Sequence, residues 1–224
     1  MKRSAVIAVL GVLLLVGVYA LAQVSVRKLE FFRIRLVEVE GIRHLDEREL
    51  VARLEIAPDA SIAIPLEPLE ERARSMPGVR QATVTRRWPG TLVVTVVEAP
   101  AVGLVVEDGQ LLVIDDHGDI LPVDPARLTY SLPLVERDTA VAALLGRLQA
   151  TDPQWFQAID EARADGRETV LSAAGHTVRL NSSANTRVLL DLAVVREWLD
   201  RNLGDWSTID ARFEGRMFVR KGTT

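Results

Sequence analysis

Residues able to act as metal ligands, nucleophiles or acid–base groups are few and scattered. There is no cysteine, which removes thiol catalysis, disulfide scaffolds, iron–sulfur clusters and Cys-ligated zinc. His44, His117 and His176 lie far apart, and none has a metal partner at ligand spacing. Asp115, Asp116 and Asp119 resemble the start of a calcium loop, but a helix–loop–helix calcium site needs a Glu at its twelfth position and flanking helices. The flanks here are strand-like, so a hairpin turn fits better, with His117 solvated in it. Ser25-Val26-Arg27-Lys28 fits the S-x-x-K nucleophile pattern, without its companion motifs and at the edge of an apolar run. No G-x-S-x-G, H-E-x-x-H or P-loop occurs. The expectation is a chain with no catalytic, metal or cofactor site.

The elements that would position any functional residue come next. Apolar residues make up 48% and charged residues 26% of the 224, the balance of a folded protein. The net charge of -4 argues against nucleic-acid binding, which draws its affinity from basic residues facing phosphates. Lys2 and Arg3 precede an uncharged run from Ser4 to Val26, about 34 Å long as a helix and enough to cross a bilayer core. Two readings compete here. One is a permanent anchor. The other is a cleaved signal peptide, with Ala20-Leu21-Ala22 as an A-x-A-like site before Gln23. Both export the remainder, although Arg27, Lys28, Arg33 and Arg35 outnumber Lys2 and Arg3, which leans against export by the positive-inside rule.

Residues 32–99 read as one unit. Phe32 to Glu40 alternates apolar and polar residues and ends at Gly41, which predicts a strand with one buried face. Asp46 and Glu49 have the spacing of a capping box, with Leu45 and Leu50 as a hydrophobic staple, so a helix runs to about Leu54. Pro65 and Pro68 open a second helix whose stripe is Leu66, Leu69, Ala73 and Met76, stopped by Pro77-Gly78. Val79 to Trp88 and Thr91 to Glu98 form a strand pair about Pro89-Gly90. Leu92, Val94 and Val96 share one face of the last strand. The order is strand, helix, helix, strand, strand, with both helices on one face of a small mixed sheet. Arg86 and Arg87 fall on alternate faces, and Trp88 is expected to pack at the sheet end.

Residues 100–220 read as a second unit. Gln110–Ile114 and Asp119–Val123 are strands around the turn Asp115-Asp116-His117-Gly118. Helices are expected at Thr139–Ala150 and Asp152–Ala164, the second capped by Asp152 with Pro153 at its first position. Glu168–Leu171 and Thr177–Leu180 form a hairpin over Ala174-Gly175. Asn181-Ser182-Ser183 matches a glycosylation acceptor but reads as a loop. Thr186 to Leu203 is an amphipathic helix with Val188, Leu192, Val195 and Leu199 inward. Ile209–Phe213 and Met217–Arg220 close the chain as strands. Trp155, Phe156, Trp198 and Trp206 are expected in the core. The fold class is α+β: an N-terminal transmembrane helix, a β-α-α-β-β domain, and a mixed, mostly antiparallel β domain with helices.

The element order of the first unit resembles a POTRA domain. Val37-Glu38-Val39-Glu40-Gly41 and Arg86-Arg87-Trp88-Pro89-Gly90-Thr91-Leu92-Val93-Val94 resemble the FtsQ/DivIB family of bacterial cell-division proteins, in which an Arg-x-Trp-Pro-x-Thr-Leu strand pair ends in Glu. The terminal Ile209-Asp210-Ala211-Arg212-Phe213 resembles the end of that family's β domain. The chain departs from the pattern at Pro100, two residues after Glu98, where members place proline about three residues on. The resemblance implies a cytoplasmic tail at 1–3, an uncleaved anchor at 4–26, a POTRA domain at 32–99, a β domain at 100–220 and a short tail at 221–224. It implies a single-pass protein of the inner membrane, located at the division septum, with most of the chain outside the cytoplasm. It further implies a non-enzymatic scaffold that recruits FtsB and FtsL and serves septal peptidoglycan synthesis, without a cofactor.

Two other readings fit the sequence less well. A secreted cell-wall enzyme released near Ala22 lacks a catalytic constellation. An outer-membrane assembly protein would need barrel strands where the helical region 139–203 lies. The terminal segment Arg212, Phe213, Glu214, Gly215, Arg216, Met217, Phe218 and Val219 carries large apolar groups on what is expected to be a sheet-edge strand. Such a strand either finishes the core or accepts a partner strand. The resemblance implies the second, with FtsB as the partner.

Overall fold

The computed structural model describes residues 32–213 and 215–222. The Ser4–Val26 run, the Ala20-Leu21-Ala22 site, the S-x-x-K motif at Ser25, Glu214 and the last two residues lie outside them. Among the described residues no helix is long and apolar enough to cross a membrane. The chain divides into two units between Glu98 and Ala99.

The first unit contains β1 (Leu36–Glu40), α1 (Glu47–Arg53), α2 (Glu67–Arg74), β2 (Val79–Arg87) and β3 (Thr91–Glu98). β3 is central, antiparallel to β2 and parallel to β1. Leu92, Val94 and Val96 are buried with Ala82 and Val84 of β2, and with Leu50, Leu69, Ala73 and Met76 from the helical side. Asp46 caps α1 by accepting from the Arg48 amide at 2.8 Å. That bond reaches the second helical residue rather than Glu49, and Glu49 pairs with Arg53 one turn on, so among the contacts seen the cap is a simple one and not the expected capping box. The first strand is shorter than its alternating pattern. Phe32 to Arg35 instead bonds outward to a loop and a turn: Ile34 donates to the Ala60 carbonyl at 2.9 Å and Arg35 to the Gly90 carbonyl at 2.8 Å. Gly41 follows β1 at φ +89°, and a Cβ there would lie 2.1 Å from the Val96 carbonyl oxygen.

The second unit is built on a nine-stranded sheet in the order β12-β11-β10-β9-β8-β7-β4-β5-β6. Its strands are β4 (Ala101–Glu107), β5 (Gln110–Asp115), β6 (Ile120–Leu121), β7 (Leu134–Val135), β8 (Ile159–Asp165), β9 (Glu168–Ala173), β10 (His176–Asn181), β11 (Trp206–Phe213) and β12 (Arg216–Lys221). Its helices are α3 (Thr139–Thr151), the single turn α4 (Pro153–Phe156) and α5 (Thr186–Asn202). The core joins Val141, Leu144, Leu145 and Leu148 of α3 and Leu189, Leu192 and Leu199 of α5 to Val102, Ile114, Leu171, Val178 and Ile209 of the sheet. Pairing is antiparallel except at β4–β7, β7–β8 and β10–β11.

Several sequence expectations are corrected here. The helix expected over Asp152–Ala164 stops after Phe156. Asp152 does cap it, accepting from the Trp155 amide at 3.0 Å. Beyond Ala158, however, the chain pairs with β7 and β9 as β8, so sheet pairing overrides a helix-compatible stretch. β4 was not anticipated: Ala101 to Val105 is nearly continuous apolar sequence, covered on both faces, and lacks the period-two signal of a half-exposed strand. The strand expected over Asp119–Val123 shortens to Ile120–Leu121. Trp155, Phe156 and Trp206 are buried, but Trp198 is 55% exposed. Trp88 is 59% exposed, meeting Phe32 edge-on at 5.5 Å between ring centroids.

Candidate functional site: the β11–β12 edge

β10, α5 and β11 form a crossover unit that sets two parallel strands side by side, leaving the chain end to add β12 antiparallel to β11. Ile209 and Ala211 are buried and fix which way β11 faces. Gly215, at φ +70°, supplies the left-handed conformation that a tight hairpin needs. β12 then runs back with Met217 packed against the core and Phe218 on the opposite face. Register shifts interrupt the pairing, one of them between Asp210 and Phe213.

β12 ends the sheet, so among the described residues no strand covers its outer edge. The opposite margin, β6, spans only Ile120–Leu121; a short edge strand of that kind gives little template for pairing. β12 is longer, running over Arg216–Lys221. Phe213 and Phe218 are 51% and 57% exposed and meet edge-on at 5.6 Å. The Arg212 guanidinium lies 5.4 Å over the Phe213 ring. Val219 is also exposed.

A charged ladder crosses the strands behind this edge. Arg179 of β10 donates to Glu168 of β9 at 2.7 Å and to Asp165 at 2.8 Å. Arg212 of β11 donates to the same Glu168 and, at 2.7 Å, to Asp210. Hydrogen bonds from Arg179, then Arg212, hold the Glu168 carboxyl below its ordinary range. The Arg212 hydrogen bond does the same for Asp210, and both Arg212 and Arg179 are pushed up in turn. This face, with Thr177, Thr208, Phe218 and Arg220, encloses a shallow cavity of about 530 Å³.

Of the residues singled out beforehand, Arg212, Phe213, Gly215, Arg216, Met217, Phe218 and Val219 thus lie on one hairpin, and Glu214 is outside the described residues. Glu168, Arg179 and Asp210 escaped sequence reading. The partners in the Arg179–Glu168 and Arg212–Glu168 pairs are 11 and 44 residues apart, and only strand register brings them together. In the aspartate turn, Asp115 accepts from the His117 and Asp119 amides at 2.8 and 3.0 Å. Asp115, Asp116 and His117 do come within ligand reach of one another, but those amides engage one Asp115 oxygen. His176 stacks on Trp206 at 3.9 Å, with its Nδ1 2.7 Å from the Trp206 carbonyl oxygen.

Residues 32–99 match the family model described as POTRA domain, FtsQ-type. A cell division protein FtsQ from Allochromatium vinosum is 32% identical over 188 residues, covering 80% of this chain and 70% of the relative. The chain belongs to the FtsQ family. FtsQ of Zymomonas mobilis is 34% identical over 158 residues, or 66% of this chain and 49% of the relative. FtsQ of Bradyrhizobium diazoefficiens is 31% identical over 105 residues, or 46% of this chain and 31% of the relative. The chain therefore spans about half the length of the Zymomonas relative and less of the Bradyrhizobium one. The FtsQ-type match covers the same stretch as the β-α-α-β-β unit, and the Arg86–Val94 motif lies within it.

Proposed function

We propose that this FtsQ-family chain is a non-enzymatic, membrane-anchored scaffold of the bacterial division machinery. The run Ser4–Val26 is its uncleaved anchor in the inner membrane, and the folded units lie outside the cytoplasm at the division septum. It recruits FtsB together with FtsL and links them to the proteins of septal wall synthesis. FtsB adds a strand to β12. The observation that carries this reading is a terminal edge strand that no other strand covers among the described residues, in a hairpin with two exposed, mutually packed phenylalanines.

Edge addition supplies main-chain hydrogen bonds along the strand, and side chains on its two faces supply selectivity. Phe213 and Phe218 are the anchors, since exposed aromatic residues give large contact area at small entropic cost. Arg216, Arg220 and Lys221 put positive charge along the strand, which discourages pairing between copies of the same edge. Confinement to the membrane adds effective concentration, so several weak contacts suffice.

Crosslinking of the tagged full-length chain in dividing cells tests the reading. Copurification of FtsB and FtsL supports it. Recovery of neither, with the chain intact in the membrane fraction, overturns it.

A further inference from the structure

The end of the first unit where the chain enters carries a feature that the strand-addition reading does not use. β1 runs parallel to β3, with Leu36 opposite Thr91. The start of β1 therefore lies beside the start of β3, which is where the β2–β3 turn sits. That topology places the entering segment Phe32–Arg35 against Trp88-Pro89-Gly90. Three hydrogen bonds pin it: Ile62 donates to the Phe32 carbonyl at 2.8 Å, Ile34 to Ala60 at 2.9 Å and Arg35 to Gly90 at 2.8 Å. Gly90 is buried there, and the Arg33 carbonyl oxygen occupies the space that a Cβ would need.

This end is apolar where an ordinary strand turn is polar. Trp88 is 59% exposed and meets Phe32 edge-on, and Leu36 at the start of β1 is also exposed. Arg33 and Arg35 are exposed around the group. The adjoining loop 57–64 carries one acidic residue, Asp59. In sequence, residues 27–31 separate this end from the uncharged run that stops at Val26. Fully extended, they reach about 20 Å at most.

We propose that the Phe32–Leu36–Trp88 end seats in the headgroup layer of the membrane that holds Ser4–Val26. The proposal rests on the anchor reading above. A short tether, an exposed indole and flanking guanidinium groups suit that layer. Tryptophan partitions to the bilayer interface through its apolar ring and polar N–H. Arginine lays its stem along the apolar zone and keeps its charge among the headgroups, where anionic lipids add attraction. The occupant is the lipid surface itself, because the tether holds this end close to it whatever else the domain binds. Seating here would fix the height of the first unit above the membrane.

The test uses the full chain reconstituted in phosphatidylethanolamine–phosphatidylglycerol vesicles, with and without a lipid brominated near its headgroup. The emission of Trp88 is the difference between the parent and Trp88→Phe, a variant that keeps a ring against Phe32. Flotation and resistance to alkaline extraction are measured on the same vesicles. The expected result is a floating, extraction-resistant protein whose Trp88 emission drops with the brominated lipid and is blue-shifted relative to detergent. Arg33→Glu with Arg35→Glu should weaken that loss while the protein still floats. If the protein floats but Trp88 emission is unchanged, or if Trp88→Phe is quenched as much as the parent, the seating proposal is wrong and the anchor stands. If the protein is extracted at alkaline pH, the anchor reading falls and takes the proposal with it.

Discussion

At the scale of single residues, two positions in the first unit carry more structure than their types announce. Gly41 combines a positive φ with a carbonyl in the space of its missing side chain. Gly41→Ala should therefore destabilise the unit by about 1–3 kcal/mol, read from denaturant unfolding; an unchanged midpoint would mean that β3 gives way at no cost. Glu98 closes the same region. Its Oε1 accepts from the amides of Arg43, His44 and Leu45 at 2.7, 2.9 and 3.0 Å, and its Oε2 lies 3.0 Å from the His44 ring. Burial alone would raise its pKa, but the Leu45, Arg43 and His44 amides outweigh that and hold it below the ordinary range of a glutamate. A depressed carboxylate stabilises the fold above its unfolded pKa, and that contribution is lost as pH falls through the folded value. The parent's urea midpoint should thus fall on acidification from neutral pH to about pH 3. Glu98→Gln should start lower at neutral pH and fall less. Parallel pH profiles for the two proteins would show that Glu98 does not stabilise through its charge.

At the scale of elements, α2 is the clearest case of pattern becoming packing. Leu69, Ala73 and Met76 recur at helical spacing, and all three are buried. Leu69→Ala should cost about 2–5 kcal/mol in denaturant unfolding, and a change below about 0.5 kcal/mol would contradict the packing described. Elements with a strong period of their own were legible in this way. α1, α2 and α5 announce themselves through caps and stripes, and the β2–β3 pair through alternation about Pro89-Gly90. Elements whose form depends on distant partners were not. β8 has helix-compatible residues and becomes a strand because β7 and β9 flank it. β4 is too uniformly apolar to show a period. Trp198 lies on α5, but on the side away from Leu192 and Leu199, and a tryptophan's type does not reveal its face. The terminal hairpin was readable as two strands. The Glu168–Arg179–Arg212 ladder behind it was not, because cross-strand register leaves no local signature.

At the scale of the whole molecule, an FtsQ-family chain joins a POTRA unit to a nine-stranded sheet, and the proposed scaffold role adds an anchor before the first and a partner at the terminal edge of the second. Each β-unit is stabilised by its own core without disulfides, so variants at the edge need not disturb the rest. The central claim is that β12 accepts a strand from FtsB. Met217 lies within the register shift between Asp210 and Phe213 and has no registered partner on β11, so proline there should disturb the existing hairpin least. It removes one amide donor from the edge strand and fixes φ. The decisive measurement is the affinity of an FtsB fragment for Met217→Pro, in protein whose circular dichroism and melting midpoint match the parent. The account predicts at least about a tenfold loss, or ~1.4 kcal/mol. A folded Met217→Pro variant that binds the fragment as tightly as the parent would contradict it and place the partner surface elsewhere.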